Sequence, residues 1–179
     1  IKNKYIKKIL VMAFIFSCIN ISTSYANISE NYNFKNITSE DGLSQSTVET
    51  IYQDSKGYIW IGTNDGLNRY NGNEFKVYKN IKNNDNSISN NMISSLVEDS
   101  DKNLWIGTDG GLNKMNLLTG DITRYLVSDE DKTYSNTVVD ELLIDSKGRL
   151  WVCTINGLNL YDSENDKFIK VASEYLENK

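Results

Sequence analysis

A fifteen-residue unit recurs three times in this chain, and this repetition constrains the fold more than any other feature of the sequence. The copies span 54–68, 99–113 and 145–159. Their tryptophans, Trp60, Trp105 and Trp151, are 45 and then 46 residues apart, and no copy contains a gap. A fixed period of this length predicts one supersecondary unit repeated along the chain, with each copy burying its apolar face against the next.

Within each unit the residues predict four short antiparallel strands separated by turns. In the first copy, apolar and polar residues alternate over 48–53, and further strands are predicted at 58–63, 67–70 and 74–78. Gly, Asn, Asp and Ser form the turns, since the chain has no proline. A four-stranded meander of about 40 to 50 residues is the blade of a β-propeller. A β-sandwich and a β-solenoid are the lesser-ranked alternatives. The sandwich explains the alternation but gives no reason for a fixed 45-residue period.

The predicted fold class is therefore all-β, and the chain is expected to hold part of an incomplete propeller. Its three blades are placed at 48–80, 93–127 and 139–172. Residues 27–47 are expected to supply a lead-in and a closing strand, because the segment around Phe34 resembles the fourth strand of each blade. Propellers use roughly four to eight blades. We therefore interpret 173–179 as the truncated start of further blades and the chain as a fragment.

Residues 1–26 have the three-part pattern of a secretory signal peptide. Four lysines and no acidic residue precede the apolar run 9–19, and small residues follow at the two positions that a signal peptidase reads, ending at Ala26. The apolar run is shorter than the ~20 residues that span a bilayer. Cleavage after Ala26 is predicted. The alternative is a lipoprotein acylated at Cys18, which is disfavoured because Phe16 stands where such sites need a small side chain.

Composition excludes several kinds of chemistry. The chain has no histidine, so it cannot supply a Ser-His-Asp or Cys-His catalytic set, a histidine zinc ligand or a histidine phosphoacceptor. Its net charge of −5 argues against nucleic acid as a partner. Once the signal peptide is removed, Cys153 has no partner for an internal disulfide. We expect it to be a small buried side chain within a strand.

The three repeated tryptophans suggest two roles. They could be platforms on which a sugar stacks, or core residues that pack between sheets. Aliphatic neighbours on both sides of each tryptophan and a constant phase in the repeat favour the core.

The repeated aspartates Asp54, Asp99 and Asp145 also have two interpretations. The first of these is a catalytic or calcium-binding carboxylate, but Leu104 stands where a calcium loop needs Gly, and the ligand pattern fails in the other copies. The second is a turn former that accepts hydrogen bonds from the backbone N–H groups that follow, and this is the prediction. We predict no catalytic, cofactor-binding or metal-ligating residue and no cofactor.

The repeated motif D-S-x-G-x-[IL]-W-[IV]-G-T-x-x-G-L-N resembles the two-component regulator propeller repeat. The lead-in 39–48 is similar to that family's opening to its first blade, and the resemblance covers about 32–172. Two residues depart from the pattern: Lys102 stands where the turn usually has Gly, and Cys153 where the strand usually has Gly.

The resemblance implies a ligand-sensing propeller on the periplasmic or extracellular side of a bacterial membrane. In this family the propellers precede a membrane helix and a histidine kinase or diguanylate cyclase output, neither of which is expected in this chain. The chain itself is therefore not expected to be an enzyme. Interblade loops such as the acidic segment 128–132 would gather on one face and recognise the ligand.

The implied partners are a small-molecule ligand, which in this family is often a saccharide, the remaining propeller blades, and a second receptor subunit. Membrane attachment would come only through a downstream helix. Two alternatives remain open at this point. One is a secreted propeller enzyme, a lyase or a glycosidase, and the other is a protein-binding scaffold.

Overall fold

A computed structural model describes residues 34–125, 138–155 and 157–171. The chain divides into two units after Lys35, and every described strand lies in the second unit, 36–179. A short 3₁₀ turn, Ser39–Asp41, precedes the strands. The strands are β1 Val48–Gln53, β2 Ile59–Thr63, β3 Gly66–Tyr70, β4 Phe75–Tyr78, β5 Ile93–Glu98, β6 Asn103–Thr108, β7 Gly111–Asn116, β8 Ile122–Tyr125, β9 Val139–Ile144, β10 Leu150–Thr154, β11 Gly157–Asp162 and β12 Lys167–Lys170.

The strands form three four-stranded antiparallel sheets, each built from consecutive strands. Blade 1 is β1 to β4, blade 2 is β5 to β8 and blade 3 is β9 to β12, and the order within each sheet follows the chain. These are the meanders that the sequence predicts, and the all-β fold class is confirmed. Each first strand carries a register shift at the same repeat position, Glu49 in β1, Ser94 in β5 and Asp140 in β9. A β-bulge therefore bends the first strand of every blade.

Two parts of the predicted organisation lie outside the described residues. These are the signal peptide, 1–26, and the start of further blades, 173–179. Residues 34–37 are not in a strand, and no described blade lacks a fourth strand that they could replace. The closing strand therefore stays a prediction.

The apolar core consists of two clusters, one at each junction between neighbouring blades. The first joins blades 1 and 2 and contains Trp60, Leu67, Ile88, Ile93, Leu96, Leu104, Ile106 and Met115. The second joins blades 2 and 3 and contains Trp105, Leu112, Val139, Leu142, Leu150, Val152 and Phe168. In both, a blade contributes its tryptophan and the leucine of its Gly-Leu-Asn triplet, and the following blade supplies aliphatic side chains. Each blade is thus stabilised by the face of the next one.

The glycine that follows the tryptophan by two residues makes this close packing possible. A Cβ added at Gly62 would lie 2.7 Å from Ile93 Cγ2, and one added at Gly107 would lie 2.8 Å from Val139 Cγ1. These glycines therefore make room for a β-branched side chain of the next blade. Glycine in a strand also allows another backbone to approach closely.

Blade 3 has Cys153 at this glycine position, and the cysteine is exposed. The prediction that it is buried is wrong, because the face that carries it is covered by no described blade. Partial burial and then the carboxylates of Glu141 and Asp140 raise the pKa of its thiol. The thiolate is therefore disfavoured at neutral pH. Within the described part of the chain, no helix is long and apolar enough to cross a membrane.

Candidate functional site

The repeated aspartates connect a turn to a buried ring in each blade. Asp54 Oδ1 accepts hydrogen bonds from the N–H groups of Lys56 and Tyr58, both at 2.9 Å. Its second oxygen, Oδ2, accepts the indole N–H of Trp60 at 2.8 Å. The prediction of a turn former is confirmed. The indole bond was not foreseen, although the constant spacing of six residues between aspartate and tryptophan was a usable signal.

The other two blades repeat this arrangement. Trp105 Nε1 donates to Asp99 Oδ2 at 2.7 Å, and Trp151 Nε1 donates to Asp145 Oδ2 at 3.0 Å. Hydrogen bonds from Trp151 and from the Arg149 backbone lower the pKa of the Asp145 carboxyl. Because both carboxylate oxygens already accept protein N–H groups, these aspartates act as structural acceptors.

The core assignment of the tryptophans holds for two of the three. Trp60 and Trp105 are each 1% exposed, whereas Trp151 is half-buried. A buried ring offers no face on which a sugar can stack. The first two tryptophans are therefore excluded as ligand platforms.

A second repeated network lies at the opposite end of the sheets and holds the chain that enters each blade. In blade 1 the backbone N–H of Ser44 donates to Asn68 Oδ1 at 2.9 Å, and the hydroxyls of Ser44 and Thr63 are 2.9 Å apart. Asn68 Nδ2 donates in turn to Ser44 Oγ at 2.8 Å and to the Ile61 carbonyl at 3.1 Å. The buried asparagine thus links the lead-in to two strands.

Blade 2 contains the same network with Ser89, Thr108 and Asn113. Ser89 N–H donates to Asn113 Oδ1 at 2.8 Å, and the Ser89 and Thr108 hydroxyls are 2.9 Å apart. In blade 3, Asn159 Oδ1 is buried and finds no hydrogen-bond partner among the described residues. The serine one repeat beyond Ser89 is Ser135, which lies outside those residues. The sequence interpretation treated the asparagines of the Gly-Leu-Asn triplets only as part of the repeat.

The connection between blades 1 and 2, residues 79–92, is tied down by Arg124 of β8. The Arg124 guanidinium donates to the carbonyls of Ser87 at 2.6 Å, Asn84 at 2.8 Å and Ile88 at 3.1 Å. It also lies 3.5 Å from an Asp85 carboxylate oxygen. Arg124 therefore anchors three backbone carbonyls of an Asn-rich loop that has no regular secondary structure.

This connection and the β2–β3 hairpin form a polar surface that we call the loop face, defined by Asp65, Lys79 and Asn91. Lys79 Nζ lies 2.6 Å from Asp65 Oδ2, and Asn91 Nδ2 donates to Asp65 Oδ1 at 3.3 Å. The Asn91 carbonyl accepts the N–H of Gly66 at 2.8 Å. The ion pair is nearly half exposed, so its charged groups remain available to a ligand. The acidic loop predicted to join this face, 128–132, lies outside the described residues.

A cleft of about 390 Å³ opens at the other end of the sheets, between the turns of blades 1 and 2. The Ser55 amide and hydroxyl donate to the two oxygens of Glu98, both at 2.6 Å. Lys102 Nζ lies 3.3 Å from Glu98 and 3.0 Å from Ser55 Oγ. Burial alone would raise the pKa of the Glu98 carboxyl, but the bonds from Ser55 and the charge of Lys102 outweigh it and lower the pKa. Since these side chains hydrogen-bond to one another, the residues that line the cleft hold blades 1 and 2 together.

Comparison with known proteins agrees with the repeat structure. The family described as two component regulator propeller matches residues 42–65 and 87–110. These segments are two-component regulator propeller repeats. Each match begins two residues before the network serine, Ser44 in blade 1 and Ser89 in blade 2, and ends in the hairpin that follows the repeated tryptophan.

The chain also resembles two proteins of bacterial signalling systems. It is 46% identical over 74 residues to "Histidine kinase P4" of Formosa agariphila, which is 41% of this chain and 5% of that protein. It superposes with a TM-score of 0.73 and 27% identity on a structure described as the extracellular domain of a hybrid two component system from B. thetaiotaomicron. That match covers 81% of this chain and 21% of the other. The chain therefore spans a small part of each relative.

An enzyme shares the fold but little of the sequence. A catalytically inactive virginiamycin B lyase from Staphylococcus aureus matches 80% of this chain and 45% of its own, with a TM-score of 0.51 and 16% identity. At that identity the likeness concerns the fold alone.

Proposed function

We propose that this chain is part of the extracytoplasmic ligand-sensing propeller of a membrane-bound bacterial signalling receptor. The observation that carries the proposal is the pair of regulator propeller repeats at 42–65 and 87–110, set in a chain that is similar to the extracellular domain of a hybrid two-component system. The export signal predicted at 1–26 fits this location. Histidine kinase output, membrane attachment and a receptor dimer would belong to other parts of the receptor.

The loop face is the surface that we assign to the ligand. It presents a carboxylate, an ammonium and an amide within hydrogen-bonding distance of one another, at Asp65, Lys79 and Asn91. Such a mixture of donors and acceptors suits a hydroxyl-rich ligand such as a saccharide. The Ser-Thr-Asn networks beneath it hold the backbone in place, so little ordering would be needed when the ligand binds.

Binding at this face would connect to signalling through the blade junctions. The connection 79–92 is anchored on both blades, because Gly66 N–H donates to Asn91 and Asp109 N–H donates to the Met92 carbonyl at 3.2 Å. A ligand held there would favour one relative position of the two blades. That bias would pass to the rest of the receptor as a shift in population.

The test is calorimetric titration of the natural protein that carries this chain with a panel of oligosaccharides. We expect Asp65→Asn and Lys79→Ala to weaken binding of the recognised saccharide about tenfold, since each removes one charge-assisted hydrogen bond. Lys147→Ala, in the exposed turn of blade 3 at the opposite end of the sheets, is the matched control. Unchanged affinity in both loop-face variants, or an equal loss in the control, would refute the assignment.

Location is tested separately. N-terminal sequencing of exported protein should begin at Asn27. Recovery of the lysine-rich segment before residue 9 on the mature protein would contradict export by a cleaved signal.

A further inference from the structure

The face of blade 3 that points away from blade 2 differs from the equivalent faces of blades 1 and 2. We call it the distal face. It consists of residues that share one side of the sheet by strand register, namely Leu143, Trp151, Cys153, Leu158, Leu160 and Ile169. Leu143 is 59% exposed and Ile169 48%, and Cys153 is exposed as well. Contiguous apolar surface of this kind marks a site of association.

We propose that the distal face docks a further propeller blade whose first strand begins with a small residue, glycine, alanine or serine. This inference goes beyond the ligand-sensing role and does not depend on it. The evidence comes from the two junctions that the structure describes, which show what covers this face when a blade follows.

At both junctions a β-branched residue begins the first strand of the following blade and fills the space above a glycine. Ile93 shares that space at Gly62 with Thr50 of the same blade as the glycine, and Val139 shares it at Gly107 with Ser94. A Cβ at either glycine would approach within 2.8 Å of the β-branched side chain, closer than packed atoms can lie.

Cys153 has both a Cβ and an Sγ at this position. The space that Ile93 and Val139 use is therefore already occupied in blade 3. A following blade with Val, Ile or Thr at that position would clash with Cys153. A following blade with a small residue would fit, because its smaller side chain offsets the larger volume of cysteine relative to glycine.

Two further substitutions make the distal face more apolar than its counterparts. Leu160 stands where blades 1 and 2 have Arg69 and Lys114, and Ile169 stands where they have Lys76 and Thr123. Arg69 lies 4.6 Å from the Tyr58 ring centroid, so the charged side chains at this position cover aromatic rings. Burial beneath another sheet stabilises leucine and isoleucine side chains more than it stabilises arginine, lysine or threonine.

The same steric argument excludes other occupants. Blade 1 of this chain begins its first strand with Val48, which is β-branched. Neither a ring closed directly between blades 3 and 1 nor head-to-tail packing of a second copy would therefore fit against Cys153. The occupant is a further blade that differs from all three described here at one defined position.

The test uses the natural protein that carries this chain. We expect the first residue of the strand that follows blade 3 in the propeller to be small, and we expect Cys153 to react with a maleimide about tenfold or more slowly than a cysteine at the exposed turn position of Ser146→Cys. Mass spectrometry assigns the labelled residue.

A steric exchange then distinguishes docking from simple burial. Replacing the small residue with Val should lower the melting temperature and expose Cys153, and adding Cys153→Gly should restore the melting temperature. Gly107→Cys, which recreates the clash against Val139, is the matched control for the size of the loss. The proposal is overturned if a β-branched residue naturally faces Cys153, if Cys153 labels as fast as the Ser146→Cys control, or if Cys153→Gly fails to rescue the Val variant.

Discussion

Blade 2 and blade 3 are built from the same repeat, yet the same positions are buried in one and open in the other. Trp105 of blade 2 is 1% exposed, while Trp151 of blade 3 is only half-buried. The opposite side of the array gives the same result. Leu96 and Leu142 are 6% and 5% exposed, but their equivalent in blade 1, Ile51, is 65% exposed. The burial of a repeat position is thus determined by the neighbouring blade.

The largest difference in stability between blades 2 and 3 should appear when their tryptophans are replaced by alanine. In the 179-residue chain, Trp105→Ala should destabilise by about 3–5 kcal/mol, because it empties the second core cluster and leaves Asp99 without its indole donor. Trp151→Ala should cost clearly less, since its ring borders an open face. Urea unfolding followed by far-UV circular dichroism measures both. Equal losses in this chain would show that the two faces are covered alike.

A smaller difference is expected at the buried asparagines. Asn113→Leu should lower the free energy of unfolding by about 1–3 kcal/mol, because the Ser89 backbone N–H loses its acceptor, while the Ser89 hydroxyl loses one donor and keeps Thr108. Asn159→Leu should cost less, since Asn159 Oδ1 has no partner among the described residues. The same unfolding measurement compares them. A larger loss at Asn159 would indicate that a group outside the described residues, such as Ser135, completes the network.

The smallest expected effect is the pH dependence of stability at the junction of blades 2 and 3. Tyr125 and Tyr161 donate to Asp166 Oδ1 at 2.7 and 2.6 Å. The bonds from Tyr161 and Tyr125 lower the pKa of the Asp166 carboxyl, and burial and then the bond to Asp166 raise the pKa of Tyr161 to about 12. The junction should therefore lose stability as pH falls below the ordinary carboxyl value of 3.8, and again as it rises above the ordinary tyrosine value of 10.0.

Asp166 is exposed, so the acid-side loss should stay below about 1 kcal/mol. Melting temperatures recorded between pH 2 and pH 11 give its size. Asp166→Asn should flatten the acid side, whereas Asp101→Asn, an exposed turn residue in blade 2, should leave the profile unchanged. An unaltered acid side in the Asp166 variant would mean that the tyrosine bonds do not couple to folding.

Sequence reasoning predicted the sheets better than the surfaces between them. The strands, the Asp turns and the core position of Trp60 and Trp105 were all predicted, because the signals lie within one repeat. The exposure of Cys153 was predicted incorrectly, since it depends on the adjacent blade. The loop face was expected only in general terms, because the contact of Lys79 with Asp65 joins residues of two separate segments.

The sequence by itself determined the meander of each blade. The turn residues, the alternation of apolar and polar side chains and the Asp-to-Trp spacing each involve only a few neighbouring residues. Local hydrogen bonding therefore forms the turns, and the two-residue period of a strand determines which side chains share a face. Only the tertiary structure decided that Gly62 accommodates Ile93, that Asn68 holds the lead-in through Ser44, and that no described blade covers one side of blade 3. The first two contacts join residues 31 and 24 positions apart in the sequence. No local pattern specifies which neighbour will fill a given space.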